Sequence, residues 1–194
     1  MQSKINIAIF ASGNGSNADA IIRYFKNSSL AEVTLVLSNN ANAYVLERAL
    51  NFEIPAIAFN RSEFYEDDAI DNLLKNCQVG FIVLAGFMWL FPKKLVEAFP
   101  GRIVNIHPAL LPKYGGKGMF GHHVHAEVIK NQEKESGITI HYVNENYDEG
   151  SIIFQARCEV KNDDTPESLA ERIHHLEHKY YPEIIFQCVQ HLSQ

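Results

Sequence analysis

The feature that most constrains the fold is an alternation of short apolar runs with amphipathic segments in the first half of the chain. The runs are apolar at nearly every position, which is typical of strands that are buried on both faces. Strands of this kind alternating with helices indicate a parallel sheet with helices on both sides. The predicted strands are INIAIFA (5–11), EVTLVLS (32–38), IPAIAF (54–59), VGFIVLAG (79–86) and RIVNIH (102–107).

The segments between these runs have the spacing of helices. We expect the first helix from about Asn17 to Lys26, with Ser16 as its cap. EFYEDDAIDNLLKN is expected to form one helix, and PKKLVEAF another with Pro92 in its first turn. The fold class predicted from this order is α/β, with an open, mostly parallel, doubly wound sheet of Rossmann-like type.

The pattern changes after residue 136. GITIHYV and SIIFQARCEV flank the short loop NENYDEG, which predicts an antiparallel strand pair. TPESLAERIHHLEHKYY predicts a long closing helix with Thr165 as N-cap and Pro166 at its first position. We expect a single domain over residues 1–194, in which the glycine-rich segment 114–125 is mobile.

Charge and cysteine usage exclude some classes of partner. The net charge is −6, and the longest run of basic residues is the pair Lys93–Lys94. We therefore expect neither nucleic acid nor an anionic membrane surface as a partner. The three widely spaced cysteines suit a reducing compartment, and we find no signal peptide and no apolar run long enough to span a membrane. These features predict a cytoplasmic protein.

A glycine loop, ASGNGSNA (11–18), joins the first predicted strand to the first helix. It satisfies the dinucleotide pattern G-x-G-x-x-A, in which the backbone and the helix N-terminus can approach an anion. A dinucleotide site also needs an acidic residue at the end of the second strand, where this chain has Ser38–Asn40. The loop thus favours a phosphomonoester over NAD, and a tight turn without a ligand remains an alternative.

A second polar motif, NIHPALLPKY, follows the fifth predicted strand. Asn105 and His107 are two residues apart, so their side chains share one face at the strand end. GFMWLF (86–91) offers an apolar wall nearby. An amide, an imidazole and an anion site suit acyl transfer, and without a nucleophile elbow we expect direct transfer between two bound substrates. Alternatively, the two side chains only pair with neighbouring loops.

Four motifs taken together resemble the phosphoribosylglycinamide formyltransferase family: ASGNGSN, VLAGFM, NIHPALLPKY and YDEGSII. The resemblance covers the chain from about residue 4 to about 190. HPALLP is shared with the wider group of folate-dependent formyltransferases, whereas SGNGSN is more specific. The resemblance implies an enzyme of purine biosynthesis that transfers a formyl group from 10-formyltetrahydrofolate to glycinamide ribonucleotide.

The resemblance also implies site residues. Asn105 and protonated His107 would stabilise the oxyanion, and Asp148 would raise the pKa of His107. No metal is implied, and the oligomeric state is not specified. The ribonucleotide would be held by Gly15, Ser16, Asn17 and Glu177. The folate would be held by Met88, Trp89, Leu90, Phe91, Asn105, Val143 and Asp148.

The chain departs from the family pattern at two places. Many relatives have Arg where Trp89 stands and an Arg near Ser62, to which Arg61 is the nearest here. Segment 114–125 is also a few residues longer than usual.

The sequence also allows other interpretations. Another formyltransferase or hydrolase that uses 10-formyltetrahydrofolate remains possible within the group, as does a non-catalytic nucleotide-binding module. HHLEH (174–178) satisfies the zinc-peptidase motif H-x-x-E-H, but we expect its histidines to flank an apolar seam with Glu177 beside it. GHHVH (121–125) is interpreted as a loop of polar contacts. The expected seam consists of Leu169, Ile173, Leu176 and Tyr180.

Overall fold

The computed structural model describes residues 4–192, which form a seven-stranded sheet with helices on both faces. The strands are β1 (Ile5–Phe10), β2 (Ala31–Ser38), β3 (Ala56–Ala58), β4 (Val79–Leu84), β5 (Ile103–His107), β6 (Glu135–Tyr142) and β7 (Ile152–Glu159). The helices are α1 (Ser16–Phe25), α2 (Tyr44–Leu50), α3 (Arg61–Tyr65), α4 (Ala69–Asn76), α5 (Lys93–Ala98), α6 (His122–Lys130) and α7 (Pro166–Leu192).

The strand order is β3-β2-β1-β4-β5-β6-β7. The first five strands in the chain pair in parallel, and β6 and β7 extend the sheet in antiparallel pairing. This arrangement confirms the predicted fold class. The chain builds outwards from β1 to β3 and then returns to place β4 on the other side of β1. A parallel sheet has its natural ligand crevice at the carboxyl ends of the strands next to such a switch.

Both faces of the sheet are covered, which explains the unbroken apolar runs. One core lies between the sheet and α1, α2, α6 and α7, and it includes Ile9 and Val83. The other lies beneath α3, α4 and α5, and it includes Phe10 and Ile82. Neighbouring residues on one strand thus enter different cores. Burial of each large apolar side chain stabilises the folded state by about 1.5–3 kcal/mol.

Two local predictions were wrong. EFYEDDAIDNLLKN forms two helices, because the carboxylate of Asp67 accepts the N–H of Ala69 at 2.8 Å and so begins α4 as a separate helix. Ser16 does not cap α1. The N-cap is Gly15, whose φ of 77° is left-handed, and Ser16 is the first helical residue.

The segment 121–125 was predicted as a loop, but all of it after Gly121 belongs to α6. Val124 and His125 are buried, which supplies the packing that turns these residues into a helix. The predicted mobility of segment 114–125 stays a prediction.

The closing helix is confirmed, and α7 runs for 27 residues through Pro182. At its start the N–H of Ser168 donates to Oγ1 of Thr165 at 3.3 Å, as expected of an N-cap. The seam differs in part from the prediction, since Leu169 and Ile173 are buried but Leu176 and Tyr180 are only partly so. Glu177 and Tyr181 occupy the buried face instead.

Candidate functional site

A cleft of about 640 Å³ opens at the carboxyl ends of β1 and β4, beside β5. The glycine loop and α7 line one side of it, and the turn after β4 lines the other. Every site residue predicted from the sequence lies on its wall: Gly15, Ser16, Asn17, Met88, Trp89, Leu90, Phe91, Asn105, His107, Val143, Asp148 and Glu177.

Asp148 joins the two polar residues of β5. Its Oδ2 lies 3.5 Å from Nδ1 of His107, and its Oδ1 accepts from Nδ2 of Asn105 at 3.4 Å. The N–H of Gly116 donates to Oδ2 at 2.9 Å. Asp148 has a left-handed φ of 56°, so the loop after β6 places this carboxylate over the strand end. The sequence-predicted trio therefore converges within one hydrogen-bonded group.

The hydrogen bonds of His107 fix its tautomer. Its Nε2 lies 2.7 Å from the carbonyl oxygen of Tyr114. A carbonyl can only accept, so Nε2 carries a proton and Nδ1 faces Asp148. When neutral, Nδ1 presents a lone pair to a carboxylate, and when protonated it donates to that carboxylate.

The pKa of His107 is lowered, and this corrects the sequence expectation of a raised value. Burial is the largest cause, and it outweighs the upward effects of the Asp148 charge and the Tyr114 carbonyl. Asp148 thus raises the pKa of His107 as predicted, but its effect is smaller than that of burial, so the net shift is downward. Burial also opposes ionisation of Asp148, but His141, His107 and the Gly116 N–H favour the carboxylate and lower its pKa overall.

His141 on β6 was not predicted as a site residue from the sequence. It pairs with Asn105 in the sheet and is only 2% exposed. Its Nδ1 lies 2.8 Å from the carbonyl oxygen of Tyr142, so Nδ1 carries the proton and Nε2 accepts from Nδ2 of Asn105 at 3.2 Å. This bond fixes which end of the Asn105 amide turns towards Asp148. A polar residue inside the apolar run GITIHYV was the available signal.

One side of the cleft is built around α1. The N–H groups of its first turn have no partner within the helix, and unpaired N–H groups at a helix N-terminus favour an anion. Nδ2 of Asn17 donates to Oε2 of Glu177 at 2.9 Å. Burial raises the pKa of Glu177, although the Asn17 bond opposes this. Within residues 4–192, Oδ1 of Asn17 is buried without a hydrogen-bond partner, so a ligand hydroxyl could use it.

The opposite side of the cleft is aromatic. Phe91 is buried and packs edge-on against Phe10, with ring centroids 5.2 Å apart, so it forms the floor. Met88 is 47% exposed at the rim. The Arg61 guanidinium lies 5.7 Å from the Trp89 ring centroid, which places a cation beside the residue that departs from the family pattern.

The zinc-motif alternative gains no support from α7. Glu177 and His174 both line the cleft, but Glu177 is buried, whereas His174 and His178 are exposed to solvent. Among the described residues 4–192, no group of three or more His, Cys, Asp and Glu side chains could hold a metal ion. The expected absence of a metal stays a prediction. No helix in that range is long and apolar enough to cross a membrane.

Comparison with known proteins gives consistent matches. Residues 5–185 match a family model described as formyl transferase. The chain is 42% identical over 187 residues to phosphoribosylglycinamide formyltransferase of Bacillus subtilis, covering 93% of the chain and 92% of the relative. It is 41% identical over 185 residues to a chloroplastic phosphoribosylglycinamide formyltransferase of Arabidopsis thaliana, covering 92% of the chain but 63% of that relative. The crystal structure of phosphoribosylglycinamide formyltransferase from Anaplasma phagocytophilum superposes with a TM-score of 0.87 at 36% identity, covering 97% of this chain and 88% of that one.

Proposed function

Since the chain belongs to the formyl transferase family, among the phosphoribosylglycinamide formyltransferases, we propose that it formylates glycinamide ribonucleotide in purine biosynthesis. The formyl donor is 10-formyltetrahydrofolate. The observation that carries the proposal is the convergence of Asn105, His107 and Asp148 between an anion site and an aromatic wall. Acyl transfer needs these groups together, because the oxyanion requires donors and the leaving nitrogen requires a proton.

The two sides of the cleft suit the two substrates. The phosphate of the ribonucleotide binds at Gly15–Asn17, where the helix N-terminus favours an anion. Glu177 accepts hydrogen bonds from the ribose hydroxyls, close to the unpaired Oδ1 of Asn17. The folate ring system packs on Met88–Phe91 and Val143. This placement brings the amine and the formyl group together at the end of β5.

The reaction proceeds by direct transfer. The amine nitrogen of the ribonucleotide forms a bond to the formyl carbon, and the carbonyl oxygen becomes an oxyanion. Asn105 and protonated His107 stabilise that oxygen, and Asp148 makes the proton on His107 less costly. The bond from carbon to the folate nitrogen then breaks. The proton lost by the amine reaches that nitrogen through His107 or a water molecule.

A single assay tests the proposal. Purified protein is mixed with glycinamide ribonucleotide and 10-formyltetrahydrofolate or a deaza analogue, and the folate absorbance is followed. We expect an absorbance change that requires the ribonucleotide. Release of formate at the same rate without ribonucleotide would instead indicate a folate hydrolase and contradict the proposal. No change with either mixture would also contradict it.

A further inference from the structure

Helix α2 holds the glycine loop from its outer side. The N–H of Val45 donates to the carbonyl oxygen of Gly13 at 3.1 Å. The Val45 side chain also packs so closely that a Cβ placed on Gly15 would lie 2.4 Å from its Cγ2. The loop thus lies between α2 and the cleft, and its contacts with Val45 restrict the conformation of Gly13 and Gly15.

Arg48, on the same helix, grips the next residue of the loop. Its Nε donates to the carbonyl oxygen of Asn14 at 2.9 Å, and its Nη2 donates to Oδ1 of Asn14 at 3.0 Å. The guanidinium carbon lies 4.9 Å from the Tyr44 ring centroid. A planar fork with several fixed donors can make both bonds at once, whereas a lysine ammonium has a single nitrogen to place.

The two bonds set the direction of a peptide plane. In a trans peptide, the carbonyl oxygen of one residue and the N–H of the next point in opposite directions. Fixing the carbonyl of Asn14 towards Arg48 therefore turns the N–H of Gly15 away from α2, on the side of the loop that lines the cleft. The same contact keeps a carbonyl oxygen from facing an anion in the cleft.

Arg48 also offsets an unfavourable charge. Asp19 lies in the first turn of α1, where its carboxylate would repel a phosphate. Nη1 of Arg48 lies 3.6 Å from Oδ1 of Asp19, and Nε of Arg23 lies 2.6 Å from its Oδ2. Both arginines thus pair with Asp19. Of the two, Arg48 is the one bonded to the loop, so they form a matched pair for experiment.

We propose that Arg48 is a positioning residue for the substrate phosphate. Arg48 holds Asn14 in place, so that the backbone N–H groups that follow Asn14 in the loop face the anion. The inference rests on the proposed function, because it places the phosphate of the ribonucleotide at this loop. It adds a residue of α2 to a site otherwise formed by α1, the strand ends and α7.

The test compares Arg48→Met with Arg23→Met, since both remove one positive charge next to Asp19. Calorimetry measures binding of glycinamide ribonucleotide and of the nucleoside that lacks its phosphate. We expect Arg48→Met to weaken ribonucleotide binding by about 10- to 100-fold, the scale of one or two lost hydrogen bonds to a charged group. Nucleoside binding and folate binding should stay unchanged. Arg23→Met should change ribonucleotide binding by less than about threefold, and Arg48→Lys should lie between wild type and Arg48→Met.

Equal losses in the two methionine variants would show that only net charge matters and would overturn the proposed role of Arg48. An equal loss for the nucleoside would overturn it as well, because the effect would not depend on the phosphate. Ribose 5-phosphate separates this inference from the reaction. If Arg48→Met weakens its binding while the wild type transfers no formyl group, the proposed role of Arg48 stands and the proposed function fails. If Arg48→Met keeps wild-type affinity for both glycinamide ribonucleotide and ribose 5-phosphate, the proposed role of Arg48 is wrong, whatever reaction the enzyme catalyses.

Discussion

At the scale of single residues, Asp148 is the group on which the proposed chemistry depends most. Asp148→Asn keeps the shape and removes the charge that opposes the downward pKa shift of His107. We expect turnover to fall by roughly 10²-fold, the scale of lost acid–base or electrostatic assistance. The pKa of His107 should fall further, so its NMR titration should move to lower pH. Ligand binding should change little.

The matched control is Asp163→Asn, an exposed aspartate on the loop before α7. It should leave both turnover and the His107 titration unaltered. If the Asp148→Asn variant showed normal turnover and an unchanged His107 titration, the role of Asp148 would be limited to the conformation of its loop.

His141 supplies a second prediction at this scale. His141→Leu removes the acceptor that orients the Asn105 amide. We expect kcat to fall about tenfold, the effect of losing one oriented hydrogen bond, with little change in substrate affinity. In an Asn105→Ala background the same change should have a smaller effect, because only the contact between His141 Nε2 and Asp148 Oδ1, at 3.6 Å, is then left to lose. Additive losses in this double-mutant cycle would contradict the role.

The sequence predicted some of these residues and not others for a physical reason. Asn105 and His107 were predicted because strand geometry alone puts residues two apart on one face. His141 joins them through antiparallel pairing, and the register of two distant strands cannot be read from either strand alone. The predicted upward shift of the His107 pKa was wrong, because the shift depends mainly on how deeply the imidazole is buried, and the packed structure determines that depth.

At the scale of elements, the glycine loop separates a folding role from a binding role. Gly13→Ala places a methyl group where no atom lies within 4 Å, on the wall of the cleft. It should leave the free energy of unfolding within about 0.5 kcal/mol of wild type and weaken ribonucleotide binding. Gly15→Ala meets Val45 and requires a left-handed φ, so it should destabilise the fold by about 2 kcal/mol or more. Urea unfolding and calorimetry on both variants measure these effects, and equal stability losses would contradict the division.

Element boundaries show where sequence patterns reach their limit. The segment EFYEDDAIDNLLKN, predicted as one helix from its apolar spacing, contains three acids in a row. The side chain of one of them, Asp67, accepts the N–H of Ala69, the first residue of a new helix. The helix α6 was missed because its first residues read as a polar histidine motif. Its stability comes from burial of Val124 and His125 in the folded protein.

At the scale of the whole molecule, a buried histidine makes the fold sensitive to acid. Burial, with smaller effects from His174, His122 and His107, lowers the pKa of His125 from 6.5 to about 4. Between these values the unfolded chain binds the proton and the folded chain does not, so stability falls as pH falls. The loss from this residue at pH 5 is about 2 kcal/mol.

Urea unfolding at about pH 7.5 and about pH 5 tests this sign. His125→Gln should lose less stability between the two conditions than wild type, by about 2 kcal/mol. His191→Gln, which changes an exposed histidine, should lose as much as wild type does. A wild-type loss that His125→Gln leaves unreduced would assign the acid sensitivity to other groups.

The architecture was the most predictable level, since apolar runs separated by helices allow few arrangements other than a covered parallel sheet. The family suggested by four motifs is confirmed by 42% identity to a relative covered over 92% of its length. The strand order was not predicted, because the sequence of a strand does not specify which other strand it will pair with. That order decides where the cleft opens.

The bond between Asn17 and Glu177 spans 160 residues of sequence. During synthesis at about 5–20 residues per second, α1 emerges roughly 8–30 s before its partner exists. The side of the cleft formed by α1 and α7 is therefore incomplete for most of translation. By contrast, β5 and the 143–148 loop, which carry the proposed reacting centre, are made close together in time. Nascent chains stalled before α7 should fail to retain ribose 5-phosphate, and release of the full chain should restore binding. On the proposed function, the ribonucleotide side of the cleft would thus be complete only once α7 has docked.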